Sequence, residues 1–308
     1  MTRLGSEEER LTNQEKAQIV TELRRELNEQ LSFILKVINM ASSSFHYALR
    51  RKDDSRYPHK LVAEILQIRL DNPDFGYRTV TAELKNRGKR INHKVVLKIM
   101  KQNNVLCHAF DRKTRKYNSY RGTVGKLAKN KLKRRFNTNR PYQKVVTDVT
   151  ELRWGTGSTN ERAYFTAFVD LFSNEILSWN LGLSPNVDFV TTPLKDLIKS
   201  KPQLPYKMLI HSDQGFQYQN RSYISKLKEN HIIQSMSRKA TCLDNAVVES
   251  FFHILKVGTV HNNHYASYEE LKIGITKYVD YYNNKRIRTK LAGKTPVQYR
   301  DLSNQFSA

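Results

Sequence analysis

Residues 111–140 hold twelve Lys or Arg side chains against a single acid, Asp111, a net +11. A stretch this basic repels itself and has little apolar surface to bury, so it reads as an extended linker that packs no core. It divides the 308-residue chain, and the sequence on either side must supply its own core. The texture differs between the two sides.

The N-terminal side reads as helical throughout. In residues 1–55, the charged run NQEKAQIVTELRRELNEQ precedes LSFILKVINM, a Ser cluster, and a helix carrying Phe45, Tyr47 and Leu49. Two short helices about a tight joint form a helix-turn-helix-like region. Residues 56–108 repeat the idea. HKLVAEILQIRLDN closes at Asp71, Asn72 and Pro73, YRTVTAELKNRG stops at Gly88, and NHKVVLKIMKQNN opens on Asn92 as N-cap. Three helices ending in a basic one fit a second helix-turn-helix domain that binds DNA. The basic linker then covers 109–140.

From 141 the pattern changes. KVVTDVTELRW is strand-like, RAYFTAFVDL and EILSWNLG form a hairpin about FSN, and NVDFVTTPLKDLIKS is a helix opened by Asn186. YKMLIHSDQG, RSYISKLKENH, IIQSMS and LDNAVVESFFHILKV follow as strand, helix, strand and helix, the last capped by Asp244 or Asn245. Three strands in a meander and two crossover strands predict a mixed five-stranded sheet in an α/β core over 141–260. Residues 261–308 are expected to extend that core with a helix whose apolar face is Tyr268, Leu271, Ile275, Tyr278 and Tyr282. The cationic KRIRTK that follows reads equally as a DNA contact or as a solvated loop. The chain is thus predicted to be multidomain, α followed by α/β.

The whole chain carries 53 Lys or Arg against 29 Asp or Glu, a formal +24. That surplus is the electrostatic footprint of a polyanion binder, and nucleic acid is the expected partner. Cys107 and Cys242 are the only cysteines, which excludes a disulfide framework and a four-cysteine zinc site. No apolar run reaches the 18–20 residues of a membrane span, and the N-terminus has no signal layout, so the expected place is the cytoplasm, with the nucleoid.

Three acids stand out. Asp148 sits inside the β-branched run VVTDVT, Asp213 ends the strand LIHS, and Glu249 lies in a helix beside SFF. A charge inside an apolar strand is costly unless it is paired or holds a metal. Three hard oxygen ligands suit Mg2+ or Mn2+, which keep open positions for phosphate and water. In the third helix Val248, Phe251, Phe252 and Leu255 make the core stripe, while Glu249, His253 and Lys256 follow an adjacent face. On a regular strand His211 shares the face of Asp213; it is not assigned a catalytic role, and orienting the acid and touching substrate are the roles left open to it.

Sixty-four residues separate Asp148 from Asp213 and thirty-five separate Asp213 from Glu249. With these spacings the sequence resembles the DDE transposase/integrase superfamily, which has a ribonuclease-H-like core. DVTEL, HSDQGFQY, SMSRKATCLDNAVVESFFHILK and YNNKRIRTKLAGKTPVQYR are similar to successive blocks of bacterial transposases of the insertion-sequence-three family. PDFGYRTVTAELKNRGKRINHKVVLKIMKQNNV resembles the helix-turn-helix unit ahead of that family's core. The resemblance spans residues 40–300. It implies a DNA transposase that cuts insertion-sequence ends and joins them to target DNA by metal-dependent hydrolysis and transesterification. Asp148, Asp213 and Glu249 would hold two Mg2+ or Mn2+ ions. It also implies terminal inverted repeats and target DNA as partners, and a homo-oligomer, at least a dimer, for pairing ends.

The same resemblance places Lys256, seven residues after Glu249, against DNA near the reacting phosphate. Asn245 is a candidate at the same region. Arg238 and Lys239, with Arg112, Lys113, Arg115, Lys116, Lys133, Arg134 and Arg135 of the basic stretch, are the further DNA-binding candidates. Gly258 stands where the family commonly has an acid, and Arg288 where it has a His. The rival reading is a catalytically silent DNA-binding regulator derived from a transposase, and the three metal-spaced acids count against it.

Overall fold

The computed structural model describes residues 11–50, 57–110, 127–158, 160–238 and 244–305. They fall in two compact units, Met1–Glu64 and Ile65–Ala308. In the first, α1 (Asn13–Leu27), α2 (Leu31–Val37) and α3 (Ser42–Arg50) pack around Val20, Ile34, Leu35 and Phe45. Thr12 and Glu15 close a reciprocal capping box at the start of α1, which satisfies two of its orphan N–H groups.

The second unit begins within α4 (His59–Asp71), followed by α5 (Tyr77–Asn86) and α6 (His93–Gln102). Their buried side chains are Ile65, Ile68, Phe75, Val80, Leu84, Val96, Ile99 and Met100. Gly88 takes φ +81° just after α5, and the Asn92 side chain accepts from Lys94 N–H at the start of α6. Arg69 Nη1 donates to three carbonyls, those of Asn72, Pro73 and Phe75, and its Nε donates to Val105.

The core is one sheet with two helical layers. β1 (Lys144–Arg153), β2 (Arg162–Asp170) and β3 (Ile176–Gly182) form an antiparallel meander. After α7 (Val187–Ser200), β4 (Leu209–Ser212) joins β1 in parallel. The short α8 (Phe216–Gln219) and α9 (Arg221–Glu229) lead to β5 (Ile233–Met236), parallel to β4. The order β3-β2-β1-β4-β5 is the mixed five-stranded sheet expected, and it is ribonuclease-H-like in topology. Period-two alternation splits β2 between two cores. Ala163, Phe165, Ala167 and Val169 face α10 (Ala246–Gly258) and α11 (Tyr268–Asn284), whereas Phe168 faces α7 and α9.

The stripe of α10 is buried as expected through Val248, Phe251, Phe252 and Leu255. A Cβ at Gly258 would meet the Tyr278 ring of α11 at 2.0 Å, so the close approach of the two helices leaves no room there for an acid. α12 (Pro296–Gln305) ends the described chain.

Two expectations change. The stretch 127–140 is no free linker. Leu132 is buried with the α10/α11 core and Phe136 packs on it, so two apolar residues hold a strongly basic segment in place. Lys133 and Arg134 both take left-handed φ (48° and 59°), a conformation that costs L-residues about 1–2 kcal/mol each and persists because neighbours fix it. The KRIRTK loop is also not a free cationic surface. Arg286 Nε lies 2.7 Å from Asp74, ahead of α5, and Arg288 donates to Tyr282 Oη at 2.6 Å. Asn86 of α5 donates to the Gly293 carbonyl at 2.8 Å, so the helix-turn-helix module is fastened to the C-terminal extension. No helix among the described residues is long and apolar enough to cross a membrane.

Candidate active site

β1 and β4 pair with Val146 opposite His211. Carrying that register two residues further sets Asp148 level with Asp213, on neighbouring strands about 4.8 Å apart. β4 ends at Ser212, so Asp213 stands where the ladder stops and the chain turns into α8. Its Oδ1 accepts Gly215 N–H at 2.9 Å. A Cβ at Gly215 would come within 3.0 Å of that carboxylate and 2.7 Å of Gln217 Nε2, so glycine is what lets the turn close around the acid.

Asp148 points to the α10 side of the sheet and accepts Val149 N–H at 2.8 Å. Burial raises its pKa well above the ordinary Asp value, and the charges of Asp213 and then Glu249 raise it further. Burial also raises Asp213, against the Gly215 hydrogen bond, and burial raises Glu249. Both aspartates keep part of their surface accessible, and Glu249 is exposed on α10. The two aspartates are thus half-buried, with Glu249 at the surface. Among the described residues no Lys, Arg or His is paired with any of the three, and no three acid, His or Cys side chains are drawn together tightly enough to enclose a metal. The fold therefore gathers negative charge at one point and leaves it uncompensated.

Two residues beneath the pair carry no sequence signal of their own. Tyr218 of α8 is fully buried, its hydroxyl 3.3 Å from Thr147 Oγ1, and its pKa rises through burial and through the charges of Asp148 and Asp213. Only its place five residues after Asp213 hints that α8 folds back under the acids.

His211 takes up a structural place. It is buried and turns to β5, with Nδ1 2.8 Å from Ser235 Oγ. Ser235 Oγ already accepts Lys131 N–H at 2.9 Å and Leu132 N–H at 3.1 Å, so its own proton goes to His211. The ring is neutral and protonated on Nε2, in line with a pKa lowered by burial to about 4. The regular strand ends before Asp213, so face-sharing along β4 brings no contact between the two side chains.

The DNA-contact candidates separate into groups. Arg112, Lys113, Arg115, Lys116 and Lys239 lie outside the described residues. Lys133 and Arg135 are exposed. Arg134 and Arg238 are committed to Asp244, at 2.7 and 3.0 Å, and Asn130 Nδ2 joins them at 2.9 Å. Asp244 is thus a clamp, and not the expected cap of α10. Asn245 takes the N-cap position without a side-chain cap bond. Its side chain is buried, with Nδ2 3.5 Å from the Thr147 carbonyl and close enough to Asp148 to lower that acid's pKa. Asn245 therefore faces β1. Lys256 is half-buried. Burial lowers its pKa and Glu151 of β1 raises it.

Residues 138–242 and 249–303 match integrase core domain families, and residues 57–113 match an HTH-like domain. The putative transposase InsK for insertion sequence element IS150 of Escherichia coli K12 is 40% identical, over 89% of this chain and 96% of that protein. Transposase InsF for insertion sequence IS3A of the same organism is 30% identical over 73% of this chain and 76% of its own. Among solved structures, the HTLV-2 integrase catalytic core domain in complex with magnesium aligns at a TM-score of 0.41 and 18% identity, over 52% of this chain and 97% of that one. At that score the fold assignment stands on the strand order alone. The matched domains and the two transposases agree with the three spaced acids: the chain belongs to the IS3 family of DDE transposases, with an HTH-like domain ahead of an integrase core.

Proposed function

We propose that Asp148, Asp213 and Glu249 are the catalytic, metal-holding residues of a DNA transposase that cuts insertion-sequence ends and joins them to target DNA. The observation that carries this reading is the level placement of Asp148 and Asp213, paired with no Lys, Arg or His among the described residues and each pushed up in pKa. Such a pair is unfavourable alone and becomes favourable around a divalent cation. Glu249 faces the pair from α10 and completes one side of the cradle.

Two Mg2+ or Mn2+ ions, when bound, supply Lewis acidity to the phosphodiester and to the attacking oxygen. The chain's own contribution is placement. β1 and β4 fix two carboxylates rigidly, α10 brings the third, and Asn245 and Gly215 hold the first two in orientation. In the first reaction, water adds to phosphorus and the bond to the 3′ oxygen breaks, which leaves a free 3′-OH on the element. In the second, that hydroxyl adds to a target phosphate and displaces the target's own 3′ oxygen. Neither reaction needs a covalent enzyme intermediate. Lys256, half-buried seven residues after Glu249, is placed to meet the DNA backbone close to the reaction.

The reading assigns DNA as the partner through the HTH-like domain and the basic surface, with terminal inverted repeats and target DNA as the two substrates. It further assigns at least a dimer for pairing ends, working at the nucleoid. Strand joining with element-end duplex, target plasmid and Mg2+ tests it. Wild type joins, and Asp213→Asn or Glu249→Gln does not. Joining by either variant would remove the triad assignment, and end binding by wild type with no cleavage would identify a regulator.

A further inference from the structure

At the end of the sheet away from the carboxylates lies a groove of about 440 Å³. Lys129, Lys131, Lys207, Lys228 and His231 line it, over a floor that includes buried Leu227. All four lysines are exposed, no carboxylate is among the lining residues, and none of the four has an ion pair among the described residues. They come from separate parts of the chain. Lys207 precedes β4, Lys228 belongs to α9, and Lys129 and Lys131 belong to the segment that follows the HTH-like domain.

That segment does not swing freely. Ser235 holds the N–H groups of Lys131 and Leu132, and Asn130 reaches Asp244. The main chain is therefore pinned where its lysines join two lysines of the core. Four like charges converging on one concavity raise the energy of the protein alone, and a row of phosphates removes that cost.

Distance fixes what can lie there. Lys207 and Asp213 are six residues apart along the chain, which spans at most about 20 Å at 3.3 Å per residue. A duplex rises 3.4 Å per base pair, so at most about six base pairs bridge groove and carboxylates. We propose that the groove holds the sugar–phosphate backbone of the element-end duplex, at most about six base pairs from the phosphate at Asp148 and Asp213. The end duplex is favoured over target DNA because half of the lysines belong to the segment that joins the HTH-like domain to the core. This rests on the transposase reading of the site, and adds to it a second, phosphate-binding track.

The test uses the full chain without divalent metal, so that it does not depend on the triad assignment. The probes are a duplex copying the end of the element that encodes the chain and an unrelated target duplex. Affinity is measured over a range of salt for wild type, K207Q/K228Q and K207R/K228R. Each neutralised phosphate adds about 0.9 to the slope of log affinity against log salt, so K207Q/K228Q should lose about 2 of that slope on the end duplex. K207R/K228R should keep it, and melting curves of all three should coincide. Phosphate-ethylation interference at most about six base pairs from the cleavage point should disappear in the Gln variant. An unchanged slope, a slope lost only on the target duplex, or interference that persists in the Gln variant would each overturn the proposal.

Discussion

The Ser235 hydroxyl donates to His211 Nδ1 at 2.8 Å while accepting the main-chain N–H groups of Lys131 and Leu132. One buried oxygen therefore ties three segments together: β4 through His211, β5 through itself, and the basic stretch ahead of β1. His211 serves this junction, although it stands two residues from a proposed catalytic acid.

Ser235→Ala is expected to leave two main-chain donors and one ring nitrogen without a partner. Unsatisfied buried groups cost about 1–3 kcal/mol, so urea unfolding should show a loss in that range. Hydrogen exchange should quicken at Lys131 and Leu132 before it quickens in β1. An unaltered exchange rate at both amides would show that Ser235 does not pin the segment.

Asp244 predicts a pH dependence. Hydrogen bonds from Arg238, then from Arg134, hold its carboxyl well below the usual range, with Asn130 and the neutral His211 ring as the other polar neighbours. The unfolded chain therefore binds a proton at higher pH than the folded one. The stabilisation is complete above the unfolded pKa of about 3.9 and is lost as pH falls below it. Asp244→Asn should lower the melting temperature at pH 7 and flatten the acid side of the stability profile below about pH 4. The Arg134 and Arg238 side chains are 43% and 62% exposed, so the effect at pH 7 should shrink in high salt. A variant whose acid limb overlays wild type would remove Asp244 from this role.

Arg286 and Asp74 form an ion pair only 12% exposed on either side, with Tyr281 Oη 3.1 Å from the same carboxylate. Removing one partner of a buried pair costs about 3–5 kcal/mol, because the other charge is left desolvated. Arg286→Met should therefore destabilise strongly, and Asp74→Asn in the same chain should recover part of the loss. A double-mutant cycle in guanidinium measures the coupling, and additive losses would show that the two do not act as a pair.

The carboxylate pair predicts an exchange of stability for activity. Asp213→Asn removes one of two neighbouring, desolvated charges, so without metal it should raise stability by about 1 kcal/mol. Wild type should gain melting temperature with rising Mg2+, as mass action requires of a ligand that binds the folded state. The variant should show little further gain and no strand joining. A lower metal-free stability for the variant would contradict the description of an uncompensated pair.

Much of the fold was legible because it is local. Asn92 and Asn186 cap helices, Gly88 ends one, and the stripe of Val248, Phe251, Phe252 and Leu255 is buried as its spacing requires. The basic stretch misled, since charge dominates its composition while Leu132 and Phe136 decide where it lies. Two well-placed apolar side chains outweigh many solvated cations, because a lysine can keep its charge in water while its backbone is held.

The three spaced acids, the surplus of positive charge and the order of strands and helices can be read from residue type and spacing, which carry them directly. What each charge faces follows from the folded arrangement. Asp148 and Asp213 come level because β1 and β4 pair in parallel in one register. Asp244 meets Arg134 from 110 positions away, Arg286 meets Asp74 from 212, and His211 turns from Asp213 to Ser235. Coulombic and hydrogen-bond energies depend on distance in space, and distance along the chain does not fix it.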